Sequence, residues 1–289
     1  MRYAFLILST FAPLMIACSS DDSSESSQTV EIQFRPYIGD SLLKCSQTYT
    51  GLGTTGSTIE VRDFRFYLND PKLLTEDGTS VDLQLTPDGK WQRGETALLD
   101  FTDGQGLCDA EGATQNTKIV GTVPPGRYVG LSFQFGLPPE LNHLDAATET
   151  APFNETGMWW TWKGGYKFAR FDFKTTGQET FFFHLGATNC NGSLETGFTC
   201  AFNHQVQITL SDFNLQEQVI GLDVKQLLAA NDLDAPVAFQ AGDVVKGCMS
   251  FAGDPECGAL FEKIGLKFSS EEQGPAQSLF QVISKTTFP

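Results

Sequence analysis

Basic residues are scarce in this chain of 289 residues, which has 19 Lys and Arg against 35 Asp and Glu and a formal net charge of −16. Because so acidic a chain repels phosphate backbones, a nucleic-acid-binding function is excluded. No run of 18 apolar residues follows the N-terminal segment, which excludes an internal transmembrane helix. With 40% hydrophobic and 19% charged residues, the chain has the composition of a globular protein.

The sequence also lacks the short motifs of the common enzyme classes. It contains no H-E-x-x-H, G-x-S-x-G, P-loop, EF-hand or G-x-G-x-x-G motif. Asp145 and Asp172 could be imagined as the acid/base pair of a secreted hydrolase. Among 35 acidic residues, however, some such pair always looks plausible, so this signal carries little information.

The N-terminus predicts export and attachment to a lipid. One positive residue is followed by an apolar stretch that is too short to span a bilayer, which is typical of a signal peptide over residues 1–17. Residues 14–18 (LMIAC) resemble a bacterial lipoprotein cleavage box, so Cys18 would become a lipidated N-terminus in the cell envelope, periplasmic or surface-exposed. Polar residues up to 28 would form a flexible tether. The alternative is an ordinary secretory signal in which Cys18 is incidental.

Six cysteines remain after Cys18, and an even number in an exported chain predicts disulfides. The spacing suggests two local bridges across Gly-containing loops and one long-range bridge, namely Cys190–Cys200, Cys248–Cys257 and Cys45–Cys108. Metal ligation by thiolates is the competing interpretation, but the chain has no C-x-x-C pair.

Alternating hydrophobicity with a period of two dominates residues 29–289 and predicts strands with one buried face. The alternating segments are residues 30–34, 59–61, 64–66, 81–85, 129–135, 166–168, 171–173 and 206–210. One helix is indicated over residues 224–230, with Asp223 as its N-cap. We therefore predict a single all-β domain, an antiparallel sandwich or barrel with one or two short helices and disulfide staples.

Tryptophan is rare, and three of the four tryptophans lie together at positions 159, 160 and 162. If this stretch is a strand, Met158, Trp160 and Trp162 share one face, and Trp159 lies on the other. The alternatives that involve no metal are packing in the core and a surface on which sugars stack.

All three histidines, His143, His184 and His204, lie between residues 143 and 204. Imidazoles suit copper or zinc in an exported protein, so His143 and His184 are candidate metal ligands. His184 follows three consecutive phenylalanines, and a histidine in such an apolar strand is more often a satisfied core residue than a ligand.

At these residues the chain resembles the MbnP family of exported copper-binding proteins, and the resemblance covers nearly the whole chain after the signal peptide. It rests on the order and number of several short stretches. They are DFRFYL (63–68), WQ (91–92) before ALLDF (97–101), GRY (126–128) through FGLP (135–138), NHLD (142–145), the tryptophans with GYKF (165–168), FHLG (183–186) with Cys190, and GCMS (247–250) with DPEC (254–257).

The resemblance implies a β-rich domain that binds one copper ion as Cu(I). It also implies that the first Trp of a W-x-W motif is oxidised to kynurenine by a di-haem MbnH-type partner of the cytochrome c peroxidase/MauG superfamily. Here W-x-W is residues 160–162, so Trp160 is the modified position despite the additional Trp159. Opening the indole would create an amine and a ketone with lone pairs, and His143 and His184 would complete a nitrogen site suited to Cu(I).

Further residues are expected near this site: Trp162, His204 behind the ligands or in a loop, Met158 and Met249 as soft neighbours, and Asp145 orienting an imidazole. The expected function is copper acquisition or homeostasis by a lipid-anchored protein that is not an enzyme but the substrate of one. The rival hypothesis is a carbohydrate-binding surface lipoprotein that uses Trp91, Trp159 and Trp162 as stacking platforms.

Overall fold

The structure, a computed structural model, describes residues 26–108, 115–239, 243–268, 270, 272 and 274–288. The predicted signal peptide, Cys18 and most of the predicted tether lie outside the described residues, so lipid attachment stays a prediction. The first strand already begins at Gln28, where the tether was expected to end. None of the helices in the described ranges is long and apolar enough to cross a bilayer.

The described residues form 22 strands and three short α-helices. In chain order the strands are β1 (Gln28–Ile38), β2 (Ser41–Leu42), β3 (Thr48–Leu52), β4 (Ser57–Leu74), β5 (Ser80–Asp82), β6 (Gln84–Leu85), β7 (Gln92–Arg93), β8 (Thr96–Asp100), β9 (Lys118–Val123), β10 (Gly130–Phe135), β11 (Trp159–Thr161), β12 (Gly165–Tyr166), β13 (Ala169–Lys174), β14 (Phe181–Leu185), β15 (Thr188–Ser193), β16 (Gly197–Phe202), β17 (Val206–Ser211), β18 (Gln218–Asp223), β19 (Val237–Ala238), β20 (Val244–Val245), β21 (Gly247–Cys248) and β22 (Phe280–Ser284). The helices are α1 (Pro139–Asn142), α2 (Val224–Leu228) and α3 (Cys257–Ile264).

Two large sheets organise these strands. One has the order β22-β18-β1-β9-β6, and the other has the order β17-β10-β4-β13-β14-β21, with β3, β5 and β8 also paired to β4. Two-stranded ribbons are formed by β11 with β12, β15 with β16, and β19 with β20. Most pairs are antiparallel, but β1 with β18 and β14 with β21 are parallel because long connections return these chains in the same direction. The prediction of an all-β, sandwich-like domain is confirmed.

Phenylalanine fills the space between the two sheets. Phe34 of β1 packs edge-to-face on Phe66 of β4 and Phe133 of β10, with ring centroids 6.0 Å and 5.9 Å apart. Phe280 of β22 meets Phe133 at 5.3 Å and Phe135 at 5.2 Å. Because these contacts join strands of different sheets, the aromatic core holds the sandwich together, and it accounts for many of the 24 phenylalanines.

The predicted helix is present as α2, and the side chain of Asp223 caps it by accepting a hydrogen bond from Gln226 N at 3.0 Å. Helix α3 is not predicted from the sequence, because the spacing of Cys248 and Cys257 indicates a disulfide-closed loop there. It ends at Gly265, whose φ of 90° is the left-handed conformation that terminates many helices.

All three predicted disulfides are present: Cys45–Cys108, Cys190–Cys200 and Cys248–Cys257. Cys190 and Cys200 are directly opposite each other in the ribbon of β15 and β16. The bridge therefore fixes the register of this ribbon, which lies beside the candidate site.

Candidate metal site

The tryptophan stretch forms a small ribbon of its own. Strand β11 is only three residues long, and its register with β12 is irregular between Trp159 and Thr161. The turn is closed by Gly164 N, which donates to Thr161 Oγ1 at 2.9 Å. Met158 precedes the strand in a 3₁₀ turn (Thr156–Met158) and is fully buried.

The prediction that Met158, Trp160 and Trp162 share one strand face is wrong, because the strand is too short and irregular for strict alternation. Trp162 instead packs edge-to-face with Trp159, with ring centroids 5.6 Å apart. Trp160 makes different contacts. Its ring centroid lies 6.4 Å from that of His184 and 6.2 Å from that of Phe251.

The ring of Trp160 packs directly on the backbone that follows His184. A Cβ atom at Gly186 would lie 2.5 Å from Cζ3 of Trp160, so only glycine leaves room for the indole there. The Nε1 atom of Trp160 is buried and has no hydrogen-bond partner among the described residues. A half-buried indole is thus seated against β14.

His184 is a buried residue of β14 whose two ring nitrogens have different surroundings. Nε2 lies 2.7 Å from Asp172 Oδ1, whereas Nδ1 is buried and lacks a partner within the described part of the chain. Burial lowers the pKa of His184 below its usual value, although the hydrogen bond to Asp172 acts in the opposite direction. We therefore assign a neutral ring with its hydrogen on Nε2 and a lone pair on Nδ1, the state that binds metals.

A row of alternating charges extends from His184 across the sheet. Asp172 Oδ2 accepts from Arg170 Nε at 2.8 Å, and Arg170 Nη1 lies 3.1 Å from Asp63 Oδ2. Asp63 Oδ1 in turn accepts from Arg65 Nε at 2.8 Å. Burial acts to raise the pKa of Asp172, but His184 and Arg170 outweigh it and lower that pKa. We call Asp172, Arg170, Asp63 and Arg65 the charge row; it gives His184 an ionised acceptor.

His143 follows α1 and is attached to the tryptophan ribbon. Its Nδ1 lies 2.9 Å from the carbonyl oxygen of Trp162, which can only accept, so the hydrogen is on Nδ1 and the lone pair on Nε2. That Nε2 lies 3.2 Å from Asn142 Nδ2 and 3.4 Å from Cys200 Sγ, and the ring stacks on Phe198. His143 is therefore near the ribbon that carries Trp160, but its lone pair already has neighbours.

His204 is buried behind the indole. Its Nδ1 lies 2.9 Å from the carbonyl oxygen of Gly186, the residue on which Trp160 packs. The ring stacks on Phe202 and meets Phe261 edge-to-face. His204 therefore holds the backbone on which the indole packs, while its role in a metal site stays a prediction.

Of the two other predicted neighbours, Asp145 makes a contact other than the expected one, and Met249 lies beside the site. The carboxylate of Asp145 accepts from Ala147 N at 2.9 Å and so caps the turn after α1, while the carboxylate in contact with an imidazole is that of Asp172. Met249 is half-buried and lies one residue before Ser250, whose hydroxyl donates to the carbonyl oxygen of His184 at 2.8 Å. The segment of residues 249–251 thus covers His184 and Trp160.

A groove of about 790 Å³ opens beside Trp160, and its walls include Thr161, Cys190 and Phe251. Phe251 is 49% exposed, so the groove reaches solvent next to the indole. The three tryptophans proposed as a sugar-binding surface, Trp91, Trp159 and Trp162, do not line one common pocket. Trp91 lines a separate polar pocket of about 530 Å³, and the mutual packing of Trp159 and Trp162 covers indole surface that a sugar would need.

Three groups of possible metal ligands have their ligand atoms within 4.8 Å of one another: His143 with Cys190 and Cys200, Asp103 with Cys45 and Cys108, and Asp254 with Cys248 and Cys257. Each group contains both cysteines of a disulfide, which are not thiolate ligands. Over the described ranges, none of these groups joins two histidines. Outside these groups, His184 Nδ1 is a buried imidazole nitrogen with no hydrogen-bond partner among the described residues, and copper prefers donors of this kind.

Sequence reasoning missed the roles of Asp172, Gly186 and Ser250 in this site. A signal for Asp172 was available, because Arg170 and Asp172 alternate with Phe171 and Phe173 and so mark one polar face of β13. Nothing in the local sequence, however, pairs that face with His184.

Comparison with known proteins extends these observations. The model of the MbnP family matches residues 27–250. A solved structure, MbnP from Methylosinus trichosporium, matches with a TM-score of 0.79 and 23% sequence identity, covering 90% of this chain and 100% of that chain. No curated protein matches the sequence. At this level of identity, the structural match supports the fold, while the family match spans the strands and the ribbon that form the candidate site.

Proposed function

Because the chain belongs to the MbnP family, which associates it with copper, we propose that it is an exported copper-binding protein for copper acquisition or homeostasis. It binds one Cu(I) ion through His184, His143 and a kynurenine made from Trp160. The observation that carries this proposal is the unpartnered, buried Nδ1 of His184, whose ring centroid lies 6.4 Å from that of Trp160.

The modification gives this pair of residues its chemistry. An indole offers a metal no lone pair, whereas kynurenine presents an aromatic amine and a ketone. Two equivalents of peroxide would break the C2–C3 bond of Trp160 and leave one oxygen atom on each carbon, and the peroxide would be reduced to two molecules of water. Hydrolysis of the bond between the indole nitrogen and C2 would then release C2 as formate. The product carries a nitrogen donor next to His184 Nδ1, and nitrogen ligands suit copper.

His143 is the third ligand of the proposed site. Its Nε2 carries the lone pair but lies near Asn142 Nδ2 and Cys200 Sγ. Cys190, the disulfide partner of Cys200, lines the same groove as Trp160. A rotation of His143 toward this groove would exchange those two contacts for a metal bond.

A di-haem MbnH-type partner uses the peroxide to oxidise Trp160, so the chain is the substrate of an enzyme and is not itself one. The open groove beside Trp160 supports this role because it gives an oxidant access to the indole. Attachment through a lipid on Cys18 would hold the protein in the cell envelope, periplasmic or surface-exposed.

The proposal is tested by producing the protein with and without the di-haem partner. Peptide mass spectrometry locates the modified residue, and metal analysis counts copper per chain. We expect one copper ion only when Trp160 is modified, no tight Cu(I) binding by Trp160→Phe, and full binding by the matched control Trp91→Phe. Full Cu(I) affinity in Trp160→Phe made with the partner would contradict the mechanism, and glycan binding without copper would favour the carbohydrate hypothesis.

A further inference from the structure

We infer that Asp172 is the positioning residue of the copper site: it holds the hydrogen of His184 on Nε2 and thereby makes Nδ1 the metal-binding atom. This inference rests on the proposed function, because it assigns a role to Asp172 only if His184 binds copper. It goes further in naming the ligand atom and the residue that selects it.

The contact between the two side chains carries the first step. Asp172 Oδ1 lies 2.7 Å from His184 Nε2, and the two residues are 2% and 4% exposed, so water does not compete for this bond. An ionised carboxylate can only accept hydrogen bonds, so the imidazole has to donate. Histidines that bind metals commonly donate their other ring N–H to a carboxylate, which fixes the tautomer and the orientation of the ring.

The register of the sheet fixes this contact. Arg170 is directly opposite His184 in the pairing of β13 with β14, so Asp172 lies two residues further along the same face of β13. On the other side of β13, Asp63 and Arg65 of β4 are directly opposite Asp172 and Arg170. Four side chains of the charge row are thus placed by paired strands.

Arg170 prevents Asp172 from changing its role. Asp172 Oδ2 accepts from Arg170 Nε at 2.8 Å while Oδ1 accepts from His184, so the two oxygens serve two different donors. Two arginines pair with the two aspartates of the row, which permits the burial of both carboxylates. Each of the two carboxylate oxygens of Asp172 therefore faces a hydrogen-bond donor and has to act as an acceptor.

Asp172→Asn is an informative variant because asparagine offers an acceptor at only one of these two positions. The guanidinium of Arg170 offers only donors, so the single oxygen of the asparagine side chain has to face it. The NH₂ group then faces His184 and can only donate, which makes Nε2 the acceptor and moves the hydrogen to Nδ1. We expect Asp172→Asn to weaken Cu(I) binding about 10–100-fold, as is typical when the partner of a metal-binding histidine is changed.

The matched control is Asp63→Asn. It removes the other buried carboxylate of the charge row, which contacts Arg65 and Arg170 and not the imidazole. The wild-type protein and both variants are produced with the di-haem partner and freed of metal. Long-range ¹H–¹⁵N NMR spectra then report which nitrogen of His184 carries the hydrogen, and competition with a Cu(I) chelator measures the affinity.

The expected result is an Nε2–H tautomer in the wild type and in Asp63→Asn, and a shift toward Nδ1–H with weaker Cu(I) binding in Asp172→Asn. An Nδ1–H tautomer in the wild type would overturn the inference even if the variant did not fold. Equal effects in both variants would also overturn it, because the charge of the row rather than the contact would then be responsible. If the tautomer changes as expected but modified wild-type protein binds no Cu(I), the proposed function fails while the positioning of His184 by Asp172 is supported.

Discussion

His184 and Trp160 lie with their ring centroids 6.4 Å apart although β14 and β11 belong to different sheets. The contact exists because the ribbon of β11 and β12 folds over the end of β14, where Gly186 provides no side chain to keep the indole away. A buried imidazole of a large, rigid sheet thereby meets an aromatic ring on a small peripheral ribbon. His184 is therefore held in place by the large sheet, while Trp160 on the small ribbon is accessible from the groove.

The two proposed histidine ligands should differ in importance. His184 Nδ1 has no partner within the described part of the chain, whereas His143 Nε2 lies close to Asn142 and Cys200 and has to give up these contacts to bind a metal. We therefore expect His184→Ala to reduce Cu(I) affinity by more than the about 10–100-fold typical of an outer partner, and His143→Ala to reduce it less. Chelator competition on protein modified at Trp160 measures both.

Thermal unfolding of the same variants shows whether either one loses its fold. Trp91→Phe is the control and should keep the wild-type Cu(I) affinity, since Trp91 lines a separate pocket and is not a proposed ligand. A larger loss of affinity in His143→Ala than in His184→Ala would contradict this ranking.

The packing at Gly186 predicts a steric effect. A methyl group there would lie 2.5 Å from Cζ3 of Trp160, so Gly186→Ala should push the indole outward and lower the free energy of unfolding by about 1–3 kcal/mol. We also expect a lower yield of modified Trp160, because the indole can no longer pack against the backbone at residue 186. Chemical denaturation and peptide mass spectrometry measure the two effects.

Gly258→Ala is the matched control. Gly258 lies in α3, and an added Cβ there would meet no atom within 4 Å, so the substitution should be neutral or stabilise the protein by up to about 1 kcal/mol. If Gly186→Ala behaved like Gly258→Ala, the close contact between the backbone and Trp160 would be refuted.

The sequence predicts the parts of this protein whose pattern is local. Alternation over residues 129–135 predicts β10, Asp223 predicts the start of α2, and the Gly-containing loops between cysteines predict two local disulfides. In each case the signal and the structure occupy the same few residues, so no knowledge of the remainder of the chain is needed.

The predictions that fail, or that could not be made, depend on distant parts of the chain. Strict alternation misplaces Trp162 because the irregular register of β11 with β12 cannot be read from β11 alone. The contact of Asp172 with His184 depends on which strands are neighbours and in which register. The sequence alone therefore favours Asp145, two residues after His143, as the orienting carboxylate, whereas the structure shows Asp172 in contact with an imidazole.

The disulfides should contribute to stability according to the length of chain they close. Cys45–Cys108 spans 63 residues, and Cys190–Cys200 spans 10. In the chain-entropy model, replacing both cysteines by alanine should lower the free energy of unfolding by about 4 kcal/mol for the first pair and about 3 kcal/mol for the second. Guanidinium denaturation measures this difference, and the Cys248–Cys257 pair, which spans 9 residues, is the control that should match Cys190–Cys200. Equal losses for the long and short bridges would argue against an entropic origin.

Lys167 predicts a dependence of stability on pH in the alkaline range. It is 9% exposed, and its Nζ donates to the carbonyl oxygen of Gly157 at 2.8 Å. Burial, assisted by the positive charge of Arg170, lowers the pKa of Lys167 from 10.5 to about 8. Between these two pH values the unfolded chain binds a proton that the folded protein does not bind, so the contribution of Lys167 to stability falls as the pH is lowered and rises as the pH is raised.

Lys167→Met removes this titration, so the difference in unfolding free energy between wild type and variant isolates it. We expect this difference to change by about 2 kcal/mol in favour of the wild type between pH 8 and pH 10, because each unit of pKa shift corresponds to about 1.4 kcal/mol. Chemical denaturation at several pH values measures this difference. Comparison with the variant cancels the titration of buried tyrosines such as Tyr166, whose pKa is raised by burial, unlike that of Lys167. A difference that does not vary with pH would mean that the Lys167 amine is charged in the folded protein, and that the bond to Gly157 and the acidic members of the charge row compensate for its burial.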